Sequence, residues 1–263
     1  MNNSTESVLT EITSQGVATL TFNRPEVHNA FDINMIEAIS SALAKIAANN
    51  KVKMLVLKGN GKSFSAGGDL KWMQRSIHFT QEENYQEGKA LAQMMYDLYH
   101  FTKPTLAMVQ GAAFGGGAGL VACCQIVIAA STATFCFPEC KLGLIPAVIS
   151  PYVIRAIGTR KARFYFLTAT QFDAENAYKM GLCHEIAPAD KLESRAEYWV
   201  NTLLQNGPHA LEECNKLINA LDPITSDNMI ELTAQKIAEL RVSPEGVEGI
   251  KAFLERRKPL WIK

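Results

Sequence analysis

An α/β fold is predicted for this 263-residue chain by three observations. Short β-branched or apolar runs alternate with longer segments whose apolar residues recur at helical spacing. Two junctions between such runs and helices, residues 64–69 and 111–119, are rich in glycine. The length allows a sizeable core, either in one large α/β domain or in a domain with an appendage.

Residues 8–12 and 17–23 alternate apolar and polar around Ser14-Gln15-Gly16, the pattern of a β-hairpin. Asn23-Arg24-Pro25 ends the second strand, because proline cannot continue the ladder. Asp32 is placed to cap a helix with Ile33, Ile36, Ile39, Leu43 and Ile46 on one face. Residues 52–57 are a buried-strand candidate, and Gly59-Asn60-Gly61 turns the chain. Asp69 can cap a helix starting at Leu70-Lys-Trp-Met73. A long helix starts at Thr80, where Glu83 completes a capping box, and runs to about Phe101 before Lys103-Pro104. The run 105–110 reads as a strand, 111–119 as a glycine turn and 120–124 as a short buried helix. Strands follow at 125–129 and 134–137, with Pro138-Glu139 just past the second. From Pro146 onward helix signals dominate, with Gly158, Gly181 and Gly207 as stops and 183–187 as a last short strand. Ser243-Pro244 is an N-cap and first-turn pair for a final helix ending in Phe253-Leu-Glu-Arg-Arg-Lys258.

Composition excludes several classes of function. Lys plus Arg and Asp plus Glu each number 26, so no global field recruits nucleic acid or an anionic membrane. No apolar run approaches the roughly 20 residues of a membrane span. The polar start Met1-Asn-Asn-Ser-Thr-Glu6 has no secretory or transit pattern, so a cytoplasmic location is expected. The six cysteines and five histidines fall at no metal-ligand spacing, so buried free thiols and no metal are expected.

Five glycines in the nine positions 111–119 add too much chain entropy for comfortable helix or strand. A strand, a glycine turn and the first turn of a helix leave outward N–H groups with the positive end of the helix dipole behind them. Such a place binds a negative oxygen, of a phosphate or of an oxyanion that develops during reaction. No GxxxxGK[ST] is present, and GxGxxG fails at Leu120, which favours the oxyanion. Residues 64–69 repeat the arrangement in small form. Two such turns can converge on one thioester oxygen as it gains enolate charge, and that chemistry needs a carboxylate base in an apolar pocket. Glu139, beside Phe137, Pro138, Cys140 and Leu142, has that neighbourhood in sequence.

These residues resemble the enoyl-CoA hydratase/isomerase, or crotonase, superfamily. The likeness runs from Gly16-Val-Ala-Thr-Leu-Thr-Phe-Asn-Arg-Pro25 to the last helix, through Phe64-Ser-Ala-Gly-Gly-Asp-Leu-Lys71, the glycines from Gly111 to Gly117, Pro138-Glu139 with Gly143 and Pro146, and Gly181-Leu182. The resemblance implies a crotonase-like spiral of ββα units over residues 1–200 and a helical region over 201–263 that covers CoA and builds a homotrimer or a dimer of trimers. It implies an oxyanion hole from the backbone N–H groups of Gly68 and Gly116, with Glu139 as the catalytic carboxylate. Arg24, His28, Ala30, Ala66, Asp69, Leu70 and Lys71 are then expected along the CoA path, with Phe253 and Arg256 reaching its nucleotide part. CoA belongs to the substrate, and no separate cofactor is implied.

One departure bears on the reaction. Two-carboxylate hydratases of this superfamily read GGGxE, and Gly119 stands where that glutamate would be. A lone carboxylate also suits an enoyl-CoA isomerase, which only shuttles a proton between two carbons. Residues 144–158 and 164–169, however, resemble the bacterial methylglutaconyl-CoA hydratase branch, which serves leucine and isovalerate breakdown. Hydration of a branched 2-enoyl-CoA is therefore expected ahead of isomerisation. An RNA-binding or inactive scaffold is disfavoured by the neutral charge and by the intact Glu139 and glycine turns.

Overall fold

The computed structural model describes residues 6–221 and 228–262. A hairpin of β1 (Val8–Ile12) and β2 (Val17–Phe22) begins the main sheet. Helix α1 (Ile33–Ala48) crosses to β3 (Met54–Gly59), which pairs in parallel with β2 from Val17↔Met54 onward. The short α2 (Leu70–Ser76) and long α3 (Gln81–Tyr99) lead to β4 (Thr105–Val109). A three-residue strand β5 (Ala112–Phe114) and helix α4 (Gly116–Cys123) follow, then β6 (Ile126–Ala130) and β7 (Thr134–Cys136). The order closes with α5 (Ser150–Thr168), β8 (Phe172–Asp173), α6 (Ala174–Met180), β9 (Glu185–Ala187), α7 (Leu192–Leu204), α8 (Pro208–Leu221), α9 (Asn228–Arg241) and α10 (Pro244–Leu254).

The main sheet runs β1-β2-β3-β4-β6-β9, parallel except for its first pair, and a smaller sheet runs β5-β7-β8. Alternation along the strands divides the core. Leu20, Phe22, Leu55, Leu57, Ala107 and Val109 face α1 and α3, where Ile36, Ile39, Leu43, Met94 and Leu98 are buried. Val17, Met54, Val56, Leu106 and Ile128 face the other way and are covered by Ala196, Trp199 and Leu203 of α7. Each large apolar side chain so buried is worth about 1.5–3 kcal/mol. A slip of one residue in any strand would exchange the two faces, so the register is tightly specified.

The α/β class and the main elements follow the sequence pattern, with local differences. The glycine stretch is not turn alone: Ala112–Phe114 forms β5, pairing in parallel with β7. Gly158, at φ 76° and ψ 154°, stops one helical piece as expected, and a second begins directly after it within Ser150–Thr168. Gly181 ends α6, in the left-handed region, with its N–H on the carbonyls of Ala177 and Tyr178. Among the described residues no helix is long and apolar enough to cross a membrane, and no cluster of side chains could hold a metal ion. Cys123, Cys124, Cys136 and Cys183 are buried free thiols, whereas Cys140 is half-buried and Cys214 exposed.

Candidate active site

The two glycine turns are laced together by backbone. Ser65 donates to Ala112 O at 3.1 Å, Phe114 donates to Ser65 O at 2.9 Å, and Phe64 donates to Gln110 O at 2.8 Å. On the other side, Phe31 donates to Gly67 O at 2.6 Å and Asp69 donates to Phe31 O at 2.8 Å. The loop 63–69 thus lies between the first loop and β5. Gly67, at φ 88°, faces Phe114 O so closely that a Cβ there would stand 2.8 Å from it, and a Cβ on Gly117 would stand 2.5 Å from Ser65 O. Side chains are excluded so that two backbones can touch.

Among the described residues, the backbone hydrogen bonds pass around two amides. Gly67 N–H goes to Ser65 Oγ, Asp69 N–H to Phe31 O, Gly115 N–H to Cys136 O and Gly119 N–H to Gly115 O, while Gly68 and Gly116 donate to nothing. Gly116 is the first residue of α4, and Gly115 before it, at φ 50° and ψ −119°, supplies no side-chain cap. A first-turn N–H has no carbonyl within its own helix, and the dipole behind it favours negative charge. Two unclaimed N–H groups from adjoining turns are what an oxyanion site requires.

Glu139 stands over this point. Its Oε1 would lie 3.2 Å from a Cβ on Gly115, and its Oε2 is buried with no hydrogen-bond partner among the described residues. The glutamate opens a single 3₁₀ turn, Glu139–Leu142, after β7, closed by Gly143 in the left-handed region. Burial raises its pKa from 4.5 to about 7, partly offset by its own backbone N–H. At neutral pH this carboxyl can therefore both take up and release a proton. Glu139 and both glycine turns line one cavity of about 880 Å³, also walled by Trp72, Met73, Leu91, Ile145, Val148 and Ile149.

Arg24, His28, Ala30, Ala66, Asp69, Leu70, Lys71 and Phe253 line the same cavity, and Arg256 does not; its neighbour Arg257 does. Several of these side chains are occupied in building the walls. Arg24 donates to Ala30 O at 2.7 Å and to Asp69 Oδ2 at 2.9 Å, with Asp32 at 3.3 Å. Asp69 Oδ1 caps α2 by accepting from the N–H groups of Lys71 and Trp72. His28 shares a hydrogen bond with Ser63 Oγ at 3.0 Å, and its carbonyl accepts from Ala66 N–H. Leu70 and Phe253 are apolar yet about half exposed at the cavity's edge. Arg257 is ion-paired to Glu248 and Glu255.

Comparison with known proteins agrees with this geometry. The enoyl-CoA hydratase/isomerase family profile matches residues 12–263. The chain belongs to that family. A crystal structure of an enoyl-CoA hydratase from Shewanella pealeana superposes with a TM-score of 0.80 at 43% identity, covering 97% of this chain and 96% of that one. Pseudomonas aeruginosa AtuE gives 0.81 at 34% identity, over 98% of this chain and 100% of that one. The enoyl-CoA hydratase ACTT6 of Alternaria alternata is 32% identical over 245 residues, 90% of this chain and 78% of that protein. The spiral crotonase-type architecture expected from the resemblance is thus the fold of this chain.

Position 119 has no room for a side chain. A Cβ on Gly119 would stand 2.2 Å from Ile149 Cγ2 and 3.3 Å from Met95 Cε. Ile149 and Met95 are 3% and 0% exposed, so neither can swing into water. An apolar wall packs against Gly119, where the resemblance placed a missing carboxylate. Sequence reasoning also missed Trp72 and Arg241, which line the cavity from different helices. Arg241 falls at the end of an ordinary amphipathic pattern, so only its near-complete burial in the fold marks it.

Proposed function

We propose that this chain hydrates a 2-enoyl-CoA thioester with Glu139 as its single acid and base, and catalyses the reverse dehydration. The observation that supports this most is the buried, unpartnered Glu139 Oε2 beside two unclaimed glycine amides. In the forward direction the Glu139 carboxylate takes a proton from water as the water oxygen bonds to the β-carbon. The alkene π pair moves toward the thioester carbonyl, whose oxygen gains charge against the N–H groups of Gly68 and Gly116. The enolate then collapses by taking the proton from Glu139 at the α-carbon, which restores the carboxylate. One carboxylate serving both steps delivers both groups to the same face, so syn addition is expected.

The preferred substrate in this reading is 3-methylglutaconyl-CoA or a similar branched enoyl-CoA of leucine and isovalerate breakdown, supported by the resemblance of residues 144–158 to that branch. CoA runs along Arg24, His28, Ala30, Ala66, Asp69, Leu70 and Lys71, with Phe253 at its nucleotide end and Arg256, which stands outside this cavity, reaching that end across a subunit boundary. Residues 201–263 assemble the homotrimer or dimer of trimers. Leu217, Ile218 and Leu221 of α8 are 59%, 57% and 74% exposed, an apolar face of the kind that a second copy covers. A second reading, isomerisation of a 3-enoyl-CoA, is favoured by the apolar wall at Gly119, because it needs one proton shuttle and no water.

Glu139→Gln tests the catalytic assignment. A general acid–base residue contributes about 10²–10⁴-fold, and turnover should fall by that much. The same variant should be no less stable than the parent above pH 7. Native Glu139 binds a proton up to about pH 7, whereas in the unfolded chain it titrates at 4.5. Stability therefore falls as pH rises through that window, by on the order of 3 kcal/mol, and a neutral glutamine escapes the loss. Near-parental turnover by a folded Glu139→Gln would sink the assignment. For the wild type, kcat/KM should rise with pH with a midpoint near 7, because hydration starts from the carboxylate. Accumulation of a 2-enoyl-CoA from a 3-enoyl-CoA with no hydration of the product would decide for the isomerase.

A further inference from the structure

We propose that Arg241 is a specificity residue that binds an acidic group at the far end of the acyl chain, a carboxylate carried by the substrate. Three buried polar side-chain atoms lack a hydrogen-bond partner among the described residues: Asn84 Oδ1, Glu139 Oε2 and Arg241 Nη1. Two of the three belong to residues that line the same cavity. Buried polar atoms are nearly always paired in folded proteins, and exceptions gather where a ligand completes them.

Arg241 ends α9 and is only 8% exposed. Its guanidinium lies over the Trp72 ring, 4.9 Å from the centroid. The indole fixes the cation by its face but offers no hydrogen-bond acceptor. Glu87 is the acidic neighbour that Arg241 feels, yet Glu87 Oε2 accepts from Trp72 Nε1 at 2.6 Å, and no hydrogen bond joins it to Arg241 among the described residues. Burial lowers the arginine's pKa, the mark of a charge that the protein compensates incompletely. A guanidinium has five donors in a planar fork that matches a carboxylate with two parallel hydrogen bonds.

The position suits the end of a short acyl chain. Trp72 Cε3 lies 3.9 Å from where a Cβ on Gly68 would be, so the same indole touches the oxyanion turn at one edge and carries Arg241 on its face. A thioester with its carbonyl at Gly68 and Gly116 has its acyl chain leaving along that ring. Met73, Leu91 and Ile237 line this region with Ser76, whose hydroxyl is spent on Met73 O, so the guanidinium faces mostly apolar side chains. A neutral chain would leave the charge uncompensated, whereas a terminal carboxylate would complete it.

The placement of the acyl chain rests on the thioester reading of the site, so the test separates binding from reaction. Glutaryl-CoA and pentanoyl-CoA have acyl chains of equal length, neither has a double bond to hydrate, and only the first ends in a carboxylate. Their affinities for the full-length protein, for Arg241→Met and for Arg241→Lys are measured by calorimetry. The wild type should bind glutaryl-CoA more tightly, and Arg241→Met should lose about 10- to 100-fold on glutaryl-CoA relative to its effect on pentanoyl-CoA, the span expected for a charge-assisted contact. Arg241→Lys should retain part of the preference, since it keeps the charge without the fork. No preference in the wild type, or equal weakening of both ligands by Arg241→Met, overturns the proposal. If Arg241→Met does not fold, the wild type and Arg241→Lys still decide, by the same criteria. Discrimination in binding without hydration of any 2-enoyl-CoA would leave Arg241 assigned and remove the hydratase reading.

Discussion

The two glycine turns look like copies of one device in sequence, and the fold holds them by different means. The turn at 64–69 is secured by side chains in addition to its backbone bonds. Asp69 caps the helix that follows, Arg24 ties that carboxylate to the first loop, and Ser65 Oγ donates to Asn29 O while accepting from Gly67 N–H. The turn at 111–117 is secured by backbone and by missing side chains. Gly115 caps α4 with no side-chain hydrogen bond, and Gly116, Gly117 and Gly119 press against Phe31, Ser65 and Ile149. A turn held by side chains tolerates small changes in shape, whereas one held by close approach tolerates almost none. The unclaimed N–H of Gly116 is therefore the more tightly positioned of the two, where the chain has least side chain.

The largest effect that this contrast predicts is in α4. Gly119→Ala puts a methyl 2.2 Å from Ile149 Cγ2, in a wall with no room to yield. Overpacking of this kind costs about 1–3 kcal/mol. Thermal unfolding should show a clear fall for Gly119→Ala and substantial recovery on adding Ile149→Val or Ile149→Ala. An unshifted single variant would mean that α4 is not held by close packing, and the contrast between the turns would fail. The same measurement bears on the absent carboxylate, since Gly119→Glu is tolerable only if Ile149 is also shortened.

A smaller effect on stability comes from the same substitution placed in both turns. A Cβ on Gly116 meets the Phe31 ring at 2.9 Å, whereas on Gly68 its nearest neighbour is Met73 Cγ at an ordinary 3.7 Å. Gly116→Ala should displace its amide and cost about 10²–10³-fold in kcat if that N–H stabilises an oxyanion. Gly68→Ala should fold with little change in melting temperature. Reversed order of the two variants in steady-state turnover would show that the Gly68 turn is the more tightly set.

The same contrast explains what was legible in the chain. Helix caps were legible because they are local chemistry: Asp32 accepts from Met35 N–H, Thr80 and Glu83 form a capping box, and Ser243 accepts from Gly246 N–H. The main-sheet strands were legible from their apolar runs. Strand β5 was not, because three residues between glycines carry no periodicity and its pairing with β7 is a contact across the fold. The cavity wall opposite Glu139 was equally hidden, since Trp72 and Arg241 sit on helices that unrelated stretches of chain bring together.

The smallest predicted effect tests the turn held by side chains. Asp69→Ala removes the cap on Lys71 and Trp72 N–H and frees Arg24 from its 2.9 Å contact. Loss of a cap costs about 0.5–2 kcal/mol. The partly buried Arg24 still reaches Asp32 and the carbonyl of Ala30, so its charge is not stranded. The melt should therefore fall modestly. Turnover should fall less than for Gly116→Ala, because Gly67 and Gly68 remain clamped by the bonds from Phe31 and Asp69 N–H groups, both of them main chain. Asp69→Asn keeps an oxygen for the cap and should recover most of the stability, leaving the weakened Arg24 contact as the remaining difference. A collapse of activity in Asp69→Asn with an unchanged melt would instead place the carboxylate's charge, and not its capping, in the function of the cavity.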